Sequence, residues 1–193
     1  MRKCQVCESE IVPASQCTTM ICKKRLCSID CAAIWGKQMA VTQREKAQRK
    51  AHSADKERIK TRADWLREAQ SAVNSYARAR DRGKACISCD KPDNGQHQRH
   101  ASHYRSVKAC SSLRFNLKNI HTSCATCNAV LSGNLLEYRI RLVRQKGPEF
   151  VEWLECQNET RAYGIEYLRR LKKIFTKRAS VESARKGKLC LNV

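Results

Sequence analysis

Aromatic residues are scarce in this chain, at 6% of its 193 residues. Leu, Ile, Val and Phe are sparse as well. Such a chain has too little apolar surface for one large core, and small metal-stapled modules joined by helices suit it better. Acidic residues are the second shortage. Asp and Glu total 18 against 39 Lys and Arg, a formal net charge of +21. That excess is too large for a solubility device alone. Its usual partner is a polyanion, most often nucleic acid, because each neutralised phosphate releases counterions. Anionic membrane is the rival partner. However, the sequence lacks a long apolar run for a transmembrane helix, and neither end carries a lipidation signal. No membrane partner is expected. The opening Met1-Arg2-Lys3-Cys4-Gln5-Val6-Cys7 lacks the apolar core of a secretory signal. A cytoplasmic location is expected, where 13 cysteines serve as metal ligands or free thiols rather than disulfides.

The cysteines and charges divide the chain into successive stretches. Residues 1–35 read as an N-terminal zinc-binding module. Cys4-x2-Cys7 and Cys27-x3-Cys31 supply four ligands in a knuckle-and-helix layout, and Cys17 or Cys22 could replace one of the pairs. A cluster of free thiols is the alternative. Residues 36–63 are rich in Lys, Arg, Gln and Ala, lack Pro, and hold Gly36 as their only Gly, so they read as a basic helical linker. From residue 64 the pattern sharpens. Trp65, Ala69, Ala72, Val73, Tyr76 and Arg80 recur at three- and four-residue steps, with Asp64 at the helix start and Gly83 past its end. This helix belongs with the central segment, 64–145. A further helical pattern begins at Leu135, Gly147 breaks it, and Pro148 opens a short helix. A last helix is expected from about Tyr163 to Lys177, with Leu168, Leu171 and Phe175 on its apolar face. These C-terminal helices fill 146–179. Residues 180–193 read as a basic flexible tail. Cys110, Cys156 and Cys190 have no partner in sequence and are expected as free thiols.

The chemistry concentrates between Cys86 and Asn134. Cys86-x-x-Cys89 opens this stretch and Cys124-x-x-Cys127 closes it, with Asn128 following at once. Four thiolates at this spacing make one tetrahedral zinc site with no open position, so its role is structural; redox thiols are the alternative. His97, His100, His103 and His121 lie between the pairs. The second cysteine pair is expected at the start of a helix, with Asn128 on its first turn, facing His103 on a hairpin strand. A neutral histidine can take a proton from water. A hard divalent ion, Mg²⁺ or Mn²⁺, held by the Asn128 amide, can stabilise a phosphate and its leaving oxygen. Arg99, Arg105 and Arg114 can hold a phosphate backbone. For His103 the plainer alternative is a residue that packs the hairpin, and for Asn128 a helix-capping amide.

The order Ser102-His103, Asn119-Ile120-His121, Cys124-Ala125-Thr126-Cys127-Asn128 resembles the HNH nucleases, whose core is the ββα-metal, treble-clef fold. More closely, the run from Trp65 to about Lys172 is similar to the NinG (Rap) recombination proteins of lambdoid phages. That similarity is carried by Arg80-Asp81-Arg82, Cys86-Ile87-Ser88-Cys89, His103-Tyr104-Arg105, Leu113-Arg114-Phe115-Asn116 and Ser132-Gly133-Asn134-Leu135. The fold class expected is therefore mainly α with small zinc-stapled α+β modules, a central HNH core flanked by helices, and an N-terminal zinc knuckle. The resemblance implies a phage-encoded, metal-dependent endonuclease that cuts branched recombination intermediates such as Holliday junctions or D-loops. His103 then maps to the general base, Asn128 to a ligand of the catalytic ion and Asn119 to the middle Asn that holds the loop. His121 maps to a second metal or phosphate contact. Family members commonly read Asp-Ala-Gly-His where this chain has His100-Ala101-Ser102-His103, which leaves His100 as the candidate ligand in place of the acid. A non-catalytic, zinc-stapled DNA-binding accessory protein is the alternative. A homodimer would suit paired cuts on a symmetric junction.

Overall fold

The computed structural model describes residues 2–11 and 26–189, with side chains described to residue 185. Cys17, Cys22 and Cys190 lie outside the described residues. The chain is mainly helical and divides into two units, residues 1–60 and 61–193.

In the first unit, β1 (Arg2–Lys3) pairs antiparallel with β2 (Glu10–Ile11). The turn between them carries Cys4 and Cys7. It is closed by the Ser9 carbonyl, which accepts from the Cys4 N–H at 2.8 Å. Helix α1 (Ile29–Arg58) follows. Ser28 caps it, its hydroxyl accepting from the Cys31 N–H at 3.1 Å, which satisfies one orphan donor of the first turn. Cys31 is the one buried residue of α1, which is roughly 45 Å long and is exposed at every position from Ala40 to Arg58. The zinc-module and linker stretches read from the sequence are thus joined by one continuous helix: nothing near residue 35 breaks it. Leu26 is buried with Cys4 and Cys31, while Val6, Ile11 and Trp35 pack beside them.

In the second unit, α2 (Arg62–Arg80) starts from a capping box. The Thr61 hydroxyl accepts from the Asp64 N–H, and the Asp64 carboxylate accepts from the Thr61 N–H. Of the stripe expected from the sequence, Trp65, Ala69, Ala72 and Val73 are buried, Tyr76 and Arg80 are half-buried, and Ala77 joins the buried face. It packs against α5 (Ile165–Leu189) through Leu168 and Phe175, with Phe115, Ile120 and Tyr163 completing the cluster. Helix α5 runs twelve residues beyond the expected Lys177, which corrects the flexible-tail reading for residues 180–189. The physical reason is that Ala179 continues the buried stripe, while Glu182 and Arg185 add a surface ion pair one turn apart.

Between these helices lies a two-stranded antiparallel sheet of β3 (Arg99–His103) and β4 (Ile120–Cys124). A short 3₁₀ turn (Ser111–Leu113) sits in the loop that joins them. A single π-helical turn (Thr126–Val130) follows β4, where an α-helical turn was expected. Then come α3 (Leu135–Lys146) and α4 (Pro148–Glu155). Gly147 has a φ of +88°, a conformation that suits glycine, and it turns the chain sharply between these helices. Tyr138, Leu142, Val151 and Leu154 are fully buried and form a second cluster with Ile87, Tyr104, Cys110 and Leu113. Among the described residues, no helix is long and apolar enough to cross a membrane.

Leu168 is fully buried on the α2–α5 seam. Leu168→Ala should therefore lower the unfolding free energy by about 2–5 kcal/mol, read as a reduced urea midpoint with little change in slope.

Candidate functional site

Two elements far apart in sequence meet at the second cysteine cluster. The first is the turn at Cys86 to Lys91, closed by the Lys91 carbonyl accepting from the Cys86 N–H at 2.9 Å, with Asp90 at a φ of +55°. The second is the end of β4 and its π-helical turn. The Ile87 N–H donates to the Thr122 carbonyl at 3.0 Å, which fastens the first turn to the outer edge of β4. The sulfurs of Cys86, Cys89, Cys124 and Cys127 lie within 4.8 Å of one another. The Cys89 and Cys124 sulfurs are 3.7 Å apart. Tetrahedral zinc with bonds of about 2.3 Å requires sulfurs about 3.8 Å apart, so the residues fit the metal. Backbone N–H groups of Ser88 and Cys124 point at the Cys86 sulfur at 3.4 and 3.2 Å, and the Cys127 N–H points at the Cys124 sulfur at 3.4 Å. Burial works to raise the Cys124 thiol. The Cys127 N–H and the surrounding thiols outweigh it and bring the group down to about 7. Cys4, Cys7, Cys27 and Cys31 form a second such group within the same limit. Each cluster could hold one zinc ion.

Register decides what the hairpin presents. His100 pairs with Ser123, Ser102 with His121, and His103 with Ile120. Side chains alternate along a strand, so His100, Ser102 and His121 share one face. His103 falls on the other, with Ala101 and Ile120, which pack toward α2. The structure accordingly brings Asn128 to His100 and not to His103: the Asn128 amide nitrogen donates to His100 Nδ1 at 3.1 Å. The expected His103–Asn128 facing pair is replaced by this one because the two histidines lie three positions apart on β3, an odd step that turns them to opposite faces.

His103 is held from a different direction. Its Nε2 lies 2.9 Å from the Arg114 carbonyl oxygen. A carbonyl only accepts, so Nε2 carries the hydrogen and the lone pair sits on Nδ1. Burial lowers the imidazole's proton affinity below its ordinary value, the Arg114 charge adds to this, and the carbonyl contact offsets part of it. Asn119 holds the loop that supplies this carbonyl. Fully buried, its amide accepts from the Arg105 N–H at 2.8 Å and donates to the carbonyls of Arg105 and Leu113 at 2.9 and 3.3 Å.

His121 sits against Tyr138, with Nδ1 2.9 Å from the phenol oxygen. The single Tyr138 proton goes to the Ser102 carbonyl at 3.2 Å, so the phenol oxygen accepts from His121 Nδ1–H. Burial, reinforced by the Arg80 charge, lowers His121 to about 4. It is neutral at pH 7.

The three arginines expected to grip phosphate all have protein partners. Arg99 donates to the Lys91 carbonyl at 3.0 Å and pairs with Asp93 at 3.4 Å, and its side chain is only 9% exposed. Arg105 donates to the carbonyls of Glu155 and Gln157 at 3.1 and 3.2 Å, stapling the end of α4 to the hairpin. Arg114 donates to Gln70 on α2 at 3.1 Å. A guanidinium carries five donors in a rigid fork, so it readily gathers protein acceptors of this kind.

Sequence spacing did not reveal Tyr138 or the buried Asp81. Arg80 pairs with Asp81 at 2.6 Å and also donates to the carbonyls of Leu117 and Ile120 at 3.2 and 2.7 Å, tying the end of α2 to β4. Burial works to raise the Asp81 carboxyl, but the bonds from Arg80 and Lys84 outweigh it and lower the group overall. The Tyr138 partners His121 and Ser102 lie 17 and 36 residues away, and the carbonyls that Arg80 reaches lie 37 and 40 away, which no local period encodes.

Two outcomes follow for this site. Cys127→Ser should remove one equivalent of zinc from the purified protein and leave the N-terminal equivalent in place, as read by metal analysis after gel filtration. His121 binds a proton less readily folded than unfolded, so its contribution is fully present above about pH 6.5 and is lost as pH falls toward 4, at about 1.4 kcal/mol per unit. The stability of the wild type should therefore fall more steeply between pH 7 and 5.5 than that of His121→Gln, as read by urea unfolding.

The profile of the family described as Bacteriophage Lambda NinG protein matches residues 1–186. The chain is 33% identical over 189 residues to protein ninG of Escherichia phage 933W, covering 89% of this chain and 88% of that one. It is 36% identical over 164 residues to protein ninG of Escherichia phage lambda, covering 76% and 78%. Against protein ninG of Salmonella phage P22 the figure is 35% over 172 residues, covering 76% and 82%. No solved structure matches significantly. A match that spans both cysteine clusters and the hairpin between the pairs of the second places this chain in the NinG family of lambdoid phage proteins.

Proposed function

We propose that this protein is a metal-dependent endonuclease for branched DNA, with the β3–β4 hairpin and the turn bearing Asn128 acting as a ββα, HNH-type core. The observation that carries the reading is the state of His103: neutral, with its hydrogen directed to a backbone carbonyl and a lone pair on Nδ1. That is the state a general base needs. In the proposed reaction Nδ1 takes a proton from water, the water oxygen bonds to phosphorus, and the P–O bond to the leaving sugar oxygen breaks.

His100 and Asn128 lie on the face of β3 opposite His103 and would hold the divalent ion; because His103 ends that strand, the phosphate would have to lie across the strand end to meet both, and the ion would supply charge relief to it. His100 Nδ1 already presents its lone pair to the Asn128 side chain, and turning that amide brings its oxygen to the same place. Among the described residues, the only groups of three or more His, Cys, Asp or Glu able to share an ion are the two cysteine clusters. The ion would therefore have two neutral protein ligands and complete its shell with water and phosphate. An imidazole ligand suits Mn²⁺ better than Mg²⁺.

The absence of a carboxylate here favours one second reading, a zinc-stapled accessory protein that binds DNA without cutting it. Purified protein incubated with four-way junctions and matched linear duplex separates the two. The nuclease reading expects junction cutting with Mn²⁺ that falls about 100-fold or more in His103→Ala and Asn128→Ala. Cutting that is absent in the wild type, or unchanged in His103→Ala, would sink it. His100→Asp supplies the missing hard ligand and should raise activity in Mg²⁺ relative to Mn²⁺; an unchanged ratio would remove His100 from the ion's ligands.

A further inference from the structure

Beside the outer edge of β4 lies an open cleft of about 760 Å³. Its walls come from the end of α2, the loop before β4 and the ends of α3 and α4, and carry Lys84, Lys118, His121, Lys146 and Phe150. A smaller hollow shares Lys118, Lys146 and Phe150 with it and adds Trp153. Asp81, the acid of the main cleft, is already bonded to Arg80 and Lys84. Lys118 and Lys146 are exposed, and neither pairs with a carboxylate among the described residues. His121 adds no charge at neutral pH. These two ammonium groups, without a carboxylate partner among the described residues, are the ones shared between both hollows.

Aromatic faces stand beside these cations. The Lys118 ammonium sits 4.8 Å from the centre of the Trp153 ring, which is 39% exposed. Phe150 lies next to it, the ring centres 6.4 Å apart. Trp and Phe are scarce in this chain, with 3 of each. An exposed Trp on a basic rim is poorly explained by packing. A free phosphate ion would use the lysines and leave the rings idle. A duplex keeps its bases stacked inside a stiff, convex surface and cannot offer one to a ring in a hollow. Unpaired nucleotides can satisfy both, with phosphates on the ammonium groups and a base against an aromatic face.

We propose that this cleft binds unpaired nucleotides of DNA, with Lys118 and Lys146 on successive phosphates and a base stacked at Trp153 and Phe150. The inference deepens the nuclease reading, because a branch point is a source of unpaired nucleotides; the binding itself does not depend on cleavage.

The test uses the full-length, zinc-loaded protein without added Mg²⁺ or Mn²⁺. Fluorescence anisotropy follows a labelled oligothymidine of about 12 nucleotides and a duplex of equal length. Trp153→Ala, and the double change Lys118→Ala with Lys146→Ala, should each weaken oligothymidine binding about tenfold, while duplex binding changes less than about twofold. Trp153→Phe, which keeps a stacking face, should restore most of the loss. The slope of log affinity against log salt for the oligothymidine should fall by about 1.4 in the double variant, about 0.7 for each phosphate contact removed. Wild-type oligothymidine affinity in these variants overturns the proposal, as does an equal loss on single strand and duplex. Urea midpoints within error of wild type exclude misfolding as the cause of a loss. Junction cutting is scored separately. A protein that shows this binding pattern but never cuts refutes the nuclease reading and supports the cleft. One that cuts junctions while the variants bind single strand normally does the reverse.

Discussion

Cys89 and Cys124 are 35 residues apart in sequence, and their sulfurs are 3.7 Å apart in the fold. His100, His103, Asn119 and His121 all lie between those two points, and Asn128 follows close after the second. Closing a loop of that length costs conformational entropy, and a chain of net charge +21 adds repulsion to the cost. Sheet pairing offsets little of it, because the hairpin has only five residues in each strand. A zinc ion held by the four sulfurs would offer the interaction strong enough to fix where β4 ends and the turn bearing Asn128 begins. From that fixed point the register follows, and from the register the choice of which histidine meets Asn128.

The parts of the molecule legible in the sequence are those set by local spacing. The Cys-x2-Cys and Cys-x3-Cys pairs, the α2 positions Trp65, Ala69, Ala72 and Val73, and the break at Gly147-Pro148 all depend on neighbours a few residues away. The parts that were not legible depend on partners across the fold. His100 and His103 look equivalent in sequence; only the pairing of Ser102 with His121 shows that they face opposite ways. The end of α5 was misjudged because a Lys- and Ser-rich composition hides the one feature that matters there, a small residue at Ala179 facing α2. Asn119 is the case in which a resemblance was informative beyond its motif. It was expected to hold a loop, and its buried amide makes three hydrogen bonds to main chain.

Around the hairpin and its cleft, positive charge is put to two uses. In the second unit, Arg80, Arg99, Arg105 and Arg114 are turned inward and donate to carbonyls or side-chain oxygens of other elements. Lys84, Lys118 and Lys146 stay outward, toward the cleft. The fork of a guanidinium can fasten two carbonyls at once, whereas an ammonium is a mobile point charge that keeps its water until a stronger anion arrives. Net charge alone therefore overstates how much of this surface is available to a polyanion, and arginines placed beside a motif are poor guides to where that polyanion lies.

The loop joining the hairpin strands has one more property. Asn119 reads its main chain and no side chain: its contacts are the N–H and carbonyl of Arg105 and the carbonyl of Leu113. The carbonyl that orients His103, from Arg114, is main chain too. The identity of exposed positions on that loop, such as Lys108 and Ala109, is thus uncoupled from the alignment of the imidazole. Substitutions there can recolour the surface that meets an incoming ligand while the ring behind it stays in register, so recognition and alignment are separately adjustable within a single stretch of chain.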